Sequence, residues 1–276
     1  MTPGLFITGT STGVGKTAIS VAILRLLAAA GVQAVGLKPI ASGSKRRGPG
    51  EPLRNADALE LQAAAPLLLP YESVNPWCFE PAIAPHLAAE EAGQATPLAS
   101  LLEWYERVTV DAEFALVEGA GGWRVPLYPE GFLSDLPETL GLDVILVVGT
   151  TLGCLNHARL TVEAIHVAGR CRLLGWIANE IDPGFERQAA NVATLERLLG
   201  APPLAITGWT PERSAFGHAV LDVSGGVRLR EALQALDLLV VLEPFATETA
   251  RLADYVLPPK IMYEHADLTF GLEMSN

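Results

Sequence analysis

Apolar residues in this chain gather in short unbroken runs instead of alternating with polar ones. Residues 4–8, 33–37, 113–117, 144–149, 173–178 and 204–206 form such runs. A run of that length, bounded by turn formers, fits a strand covered on both faces. Between the runs, residues 17–30, 55–64, 97–110, 156–167 and 185–199 follow helical spacing. The alternation predicts an α/β fold: a doubly wound, mostly parallel sheet with helices on both faces. Residues 44–53, which hold two Gly, two Pro and Lys45-Arg46-Arg47, are expected to form a mobile loop.

The polar residues sit at one end of this pattern. Gly9 to Thr17, Lys38, Glu118, Gly149 to Asn156, and Asn179 all follow the carboxyl ends of expected strands. Ligands of open α/β sheets bind at those ends, so five segments are expected to meet at one crevice.

The first segment carries the sharpest chemistry. Gly9-Thr-Ser-Thr-Gly13-Val14-Gly15-Lys16-Thr17 follows an apolar run and opens a helix at Ala18. Strand, glycine-rich turn, Gly-Lys-Thr and helix together are the context of a nucleotide phosphate loop. Its N–H groups and the helix N-terminus suit phosphate, Lys16 the outer phosphates, and the Thr17 hydroxyl a Mg²⁺ ion. Five residues, not the usual four, separate Gly9 from the Gly-Lys-Thr.

Four further segments each admit two readings. Lys38, just before Pro39, is either a surface lysine at a strand end or a second cation for a transferring phosphate. Glu118 ends a buried run and precedes Gly119-Ala120-Gly121-Gly122; it is either solvated at a loop or paired with a cation such as Mg²⁺. Asp57 reads as a helix-start residue or as a second carboxylate ligand. The turn Gly149 to Asn156 could hold a carboxylate on its N–H groups, or be an ordinary helix start capped by Asn156. The five histidines show no ligand spacing.

Composition narrows the class. A chain of 276 residues, 50% hydrophobic and 18% charged, can bury a substantial core. Its 19 basic and 31 acidic residues give a net charge of −12, which argues against a general nucleic-acid or anionic-membrane binder. Cys78, Cys154 and Cys171 form no C-x-x-C pair, which fits a reducing compartment and no zinc site. No leader pattern and no apolar run of membrane-spanning length is seen, so a cytoplasmic protein is expected.

Several segments, in order, resemble one family. They are Thr8-Gly-Thr-Ser-Thr-Gly-Val-Gly-Lys-Thr17, Leu37-Lys-Pro-Ile-Ala-Ser-Gly43, Arg54-Asn-Ala-Asp57, Val74-Asn-Pro76, Pro85-His86, Val117-Glu-Gly-Ala-Gly-Gly-Trp123, Leu152-Gly-Cys-Leu-Asn-His-Ala158 and Trp176-Ile-Ala-Asn179. From about residue 3 to 215 the chain resembles the dethiobiotin synthetases, P-loop ATP-dependent carboxylases of biotin synthesis. The extra residue in the phosphate loop is a feature of that family.

The resemblance implies a P-loop NTPase-like fold and a reaction. Carbon dioxide adds to an amine of 7,8-diaminononanoate, ATP phosphorylates the carbamate, and the second amine closes a cyclic urea. It implies Lys16 and Lys38 as catalytic lysines, and Thr17, Asp57 and Glu118 as Mg²⁺ ligands. Gly13, Val14, Gly15, Ala18, Gly119, Ala120 and Gly121 would adjoin ATP, with Asn179 reading adenine and Glu212 contacting the nucleotide. Thr12 and Ser42 would contact substrate. Gly153, Cys154, Leu155 and Asn156 would grip the substrate carboxylate across a homodimer interface.

Departures from the family pattern are Ser11, where aspartate is frequent, and Thr207-Gly208-Trp209 in place of an Ile-Pro-Trp-like segment. Residues 1–222 are expected to form the synthetase-like domain and 223–276 a non-catalytic extension. Part of that extension is similar to a short stretch of molybdopterin-dependent oxidoreductases, but about fifty residues could not enclose such a cofactor. Other readings are a P-loop amidoligase such as a cobyrinate diamide synthase, or a nucleotide-switched regulatory ATPase. The first would need a glutaminase with a nucleophilic cysteine. The second usually carries another lysine early in the loop, where this chain has Thr10, Ser11 and Thr12.

Overall fold

A computed structural model describes residues 2–209 and the backbone of Val240–Val241 and Tyr255–Val256. Up to the middle of the chain the elements are β1 (Gly4–Gly9), α1 (Lys16–Ala29), β2 (Ala34–Leu37), β3 (Ile40–Ala41), α2 (Ala56–Ala64), α3 (Tyr71–Val74), β4 (Trp77–Cys78), α4 (Pro85–Glu91), α5 (Leu98–Val108) and β5 (Phe114–Glu118). There follow α6 (Asp135–Leu140), β6 (Asp143–Thr150), α7 (Cys154–Ala168), β7 (Leu173–Glu180), α8 (Gln188–Leu199) and β8 (Ala205–Thr207). All six expected strands form, with ends shifted by a residue or two. The short pieces β3, β4, α3, α4 and α6 were not anticipated.

Six strands make one sheet in the order β2-β5-β1-β6-β7-β8, every neighbour pair parallel. Successive side chains leave a strand on opposite faces, so its unbroken apolar runs feed two cores. Leu5 and Ile7 of β1 join Ile19 and Ile23 of α1 and Leu61 of α2 on one side. Phe6 points the other way, into Trp104 and Tyr105 of α5 and Leu136 of α6. Farther along that second face, Leu146, Val148 and Trp176 pack on Val162 of α7 and Leu195 of α8. Each such buried side chain is worth about 1.5–3 kcal/mol of transfer free energy. Among the described residues, no helix is long and apolar enough to cross a membrane.

The start of α7 corrects one reading of the sequence. Asn156 does not cap this helix; it lies inside the first turn, and Gly153 occupies the cap position at φ 97°. A left-handed glycine turns the chain tightly enough to begin the helix two residues earlier, with no side-chain cap.

The pair β3–β4 (Ile40↔Trp77, Ala41↔Cys78) is a short parallel ladder beyond the end of β2. It brings residues 38–42 beside 74–79, over the carboxyl edge of the sheet. Asn55, whose side chain accepts from the Ala58 N–H at 3.2 Å, caps α2 and fixes where Asp57 enters.

Candidate active site

The carboxyl ends of β1, β2 and β5, with the first turn of α2, enclose a cleft of about 710 Å³. The phosphate loop forms its floor between β1 and α1. Gly13 (φ 77°) and Gly15 (φ 92°) adopt the left-handed backbone that only glycine takes readily. The Thr10 N–H donates to Val147 O at 3.0 Å, tying the loop to β6. On the far side, Asn179 Nδ2 donates to Val14 O at 2.7 Å, while Thr207 Oγ1 donates to Asn179 Oδ1 at 2.6 Å. A side chain on Gly15 would collide with the Asn179 amide.

Two lysines share the cleft with one buried carboxylate. Lys16 Nζ donates to Gly121 O (2.8 Å) and Ser11 O (3.1 Å), bridging two loops of the cleft. Burial lowers its pKa to about 8 and the neighbouring Lys38 charge adds to the fall, against the pull of Glu118 and Asp57. Lys38 Nζ lies 2.5 Å from Glu118 Oε1, 3.2 Å from Gly119 O and 3.5 Å from Asp57 Oδ2. Burial acts against its charge, yet the Glu118 and Asp57 carboxylates together raise its pKa above the ordinary lysine value.

Glu118 is fully buried. Its Oε1 accepts from Lys38 and, at 3.1 Å, from Thr17 Oγ1. Its Oε2 has no hydrogen-bond partner among the described residues. A buried carboxylate oxygen is rarely left so. With the Thr17 hydroxyl beside it and Asp57 across Lys38, it completes a set of hard oxygens. Mg²⁺ favours such a set, taking one or two carboxylates and filling its remaining positions with phosphate and water. The residues present fit that ion.

The cleft gathers most of the residues picked from sequence. Thr12, Gly13, Gly15, Lys16, Thr17, Lys38, Ser42, Asp57, Glu118, Ala120 and Gly121 line it. Val14 is buried under the loop, Ala18 packs toward the first core, and Gly119 offers its carbonyl to Lys38. Asn179 is buried behind the phosphate loop, outside the cleft lining. Gly153, Cys154, Leu155 and Asn156 also lie outside it, at the start of α7. Glu212 lies outside the described residues.

Arg124 and the segment 82–85 line the cleft too, and sequence reasoning missed both as contacts. Arg124 Nη1 is paired with Glu138 (3.2 Å) and Asp135 (3.6 Å) of α6, and its guanidinium sits over Phe132. The one signal for Arg124 was its place two residues after the glycine-rich turn.

Residues 3–215 match the family described as an AAA domain. The ATP-dependent dethiobiotin synthetase of Pseudomonas paraeruginosa is 51% identical over 220 residues, 79% of this chain and 94% of that protein. The enzyme of the same name from Yersinia pestis bv. Antiqua is 48% identical over 206 residues, 75% of this chain and 85% of its own length. Among solved structures, the MinD cell division protein of Aquifex aeolicus aligns with a TM-score of 0.50 at 14% identity, covering 84% of this chain and 95% of that one. At that identity the likeness is one of fold.

Proposed function

The chain belongs to the dethiobiotin synthetase family, and from that premise we propose that it is an ATP-dependent ligase closing the ureido ring of dethiobiotin. The substrates are 7,8-diaminononanoate, carbon dioxide and ATP. One amine nitrogen bonds to carbon dioxide and loses a proton, giving a carbamate. A carbamate oxygen then attacks the γ-phosphorus and ADP leaves, giving a carbamic–phosphoric anhydride. The second amine attacks the carbonyl carbon, the ring closes, and phosphate departs with a proton lost from nitrogen.

The observation that carries this reading is the buried Lys38–Glu118 pair in the same cleft as the buried phosphate-loop Lys16. Transfer of a phosphoryl group is governed by positioning and charge neutralisation. Lys16 lies at the helix N-terminus, where the outer phosphates fit. Lys38 stands just past the end of β2, two strands from β1 with β5 between, suited to the carbamate and the transferring group. Thr17, Asp57 and Glu118 would hold Mg²⁺, which neutralises phosphate charge when bound. The backbone of Gly13–Ala18 and Gly119–Gly121 adjoins ATP in this assignment. Asn179 and Glu212 take the nucleotide; each Asn179 side-chain atom keeps one unused hydrogen-bonding position.

Thr12 and Ser42 contact the diamine end of the substrate. The turn Gly153 to Asn156, lying outside this chain's own cleft, is assigned to the carboxylate of a substrate bound to a second protomer. Leu152 beside it is 93% exposed, which suits a covered position in a homodimer. We assign residues 1–222 to the catalytic domain, 223–276 to a non-catalytic extension, and the protein to the cytoplasm.

The test is direct. Purified protein with ATP, Mg²⁺, bicarbonate and diaminononanoate should release phosphate and form dethiobiotin, detected by mass spectrometry, only with the diamine present. Phosphate release that ignores the diamine, or no turnover, would overturn the proposal.

A further inference from the structure

Lys38 and Asp57 come from different parts of the chain, and neither is held by the main sheet at the point where they meet. The β2–β5 ladder ends at Leu37↔Val117, one residue before Lys38. Beyond it, residues 71–75 take over. The Lys38 N–H donates to Val74 O at 2.9 Å, and Asn75 Nδ2 donates to Lys38 O at 2.6 Å. The same segment therefore grips both backbone groups of Lys38.

Tyr71 continues the connection. Its hydroxyl donates its single proton to Asn75 Oδ1 at 3.0 Å and accepts from the Asn55 N–H at 2.6 Å. The Cys78 Sγ, 3.6 Å away, is a third partner, and with the hydroxyl proton on Asn75 it gives its thiol proton to the oxygen. Two neighbours favour that assignment. Asn55 offers only a donor, and the Asn75 amide must turn its nitrogen toward the carbonyls of Lys38 and Trp77 (3.4 Å). Asn55 in turn caps α2, two residues before Asp57. Tyr71, Asn75 and Asn55 are all buried. A buried hydroxyl is costly unless its bonds are made, so this one is kept by being satisfied on both sides.

We propose that Tyr71 and Asn75 are positioning residues that set the spacing between Lys38 and Asp57, through a buried hydrogen-bonded link running from the Lys38 backbone to the cap of α2. This rests on the reading of Lys38 and Asp57 as parts of the phosphoryl-transfer site. Neither Tyr71 nor Asn75 lines the cleft. Both act through the two residues they hold. The Arg54 guanidinium, 4.1 Å from the Tyr71 ring centre, steadies the ring from outside and leaves the hydroxyl aimed inward.

Tyr71→Phe keeps the ring and its packing and removes only the oxygen. Its kcat should fall about 10- to 100-fold, the range found when a partner that orients a site ligand is lost. KM for the diamine should stay unchanged, and a crystal structure of the variant should show Lys38 Nζ and Asp57 Oδ2 farther apart than their present 3.5 Å. Asn75→Asp, which keeps the acceptor for Tyr71 but faces the Lys38 carbonyl with a second acceptor, should lose kcat in the same way. It carries the test if Tyr71→Phe does not fold. Leu69→Ala, in the same small cluster as Tyr71, should lower the melting temperature yet leave kcat alone. Unchanged kcat in both polar variants, an unchanged Lys38–Asp57 spacing, or an equal loss of kcat in Leu69→Ala would overturn the proposal. A wild-type enzyme without diamine-dependent turnover would overturn the functional reading instead, and the spacing in the variant would still decide the positioning claim.

Discussion

Removing the cation from the buried Lys38–Glu118 pair isolates the electrostatics of the site. In Lys38→Met the apolar stem is replaced and only the charge is lost. Glu118 is then a fully buried carboxylate whose one remaining side-chain partner is the Thr17 hydroxyl. Breaking a buried pair from one side costs about 3–5 kcal/mol, because the other charge stays behind. At about 2–4 °C per kcal/mol for a chain of this size, the melting temperature should fall by about 6–20 °C in metal-free buffer. Mg²⁺ should then raise the melting temperature of the variant more than that of the wild type, since the ion meets an uncompensated carboxylate. Saturation at 100 times its Kd is worth about 2.7 kcal/mol. The double variant Lys38→Met/Glu118→Met, in which no fully buried carboxylate is stranded, should regain most of the loss. Circular-dichroism melts with and without Mg²⁺ measure all three. A single variant within about 1 kcal/mol of wild type, or a double variant no better than the single, would refute the reasoning. Diamine-dependent turnover should be absent in Lys38→Met.

Two other outcomes are open to measurement. Burial, with Glu138 and Asp143 nearby, pushes the Cys171 thiol up to about 12; iodoacetamide at pH 8 should therefore leave it unmodified in the folded protein and alkylate it after denaturation, and rapid alkylation of the native state, seen by peptide mass spectrometry, would contradict this. Leu152→Asp should shift the protein from dimer to monomer in sedimentation velocity, and an unchanged sedimentation coefficient would place the proposed interface elsewhere.

The central sheet was legible because two-sided burial leaves an unmistakable run such as Leu5-Phe6-Ile7. The phosphate loop was legible because its glycines and Gly-Lys-Thr are required by backbone geometry, not by packing. The pieces β3, β4, α3, α4 and α6 were not, since they are too short to show a period and carry no unbroken apolar run. Asp57 illustrates the limit well. Locally it is a first-turn acid, as its sequence reads, and nothing near it in the chain says that it will face Lys38. That meeting depends on Tyr71 and Asn75, whose polar atoms act across the fold and leave no periodic trace. At α7, a glycine in left-handed conformation replaced the side-chain cap that Asn156 suggested.

Asn179 gives the phosphate loop a brace from behind. Its amide joins Val14 to Thr207, so strands β7 and β8 hold the loop's shape while the cleft is open. A loop already fixed in its working geometry gives up little conformational entropy when phosphate arrives. Nucleotide affinity in this protein should therefore depend on Thr207 at the far edge of the sheet, which acts on the loop through Asn179.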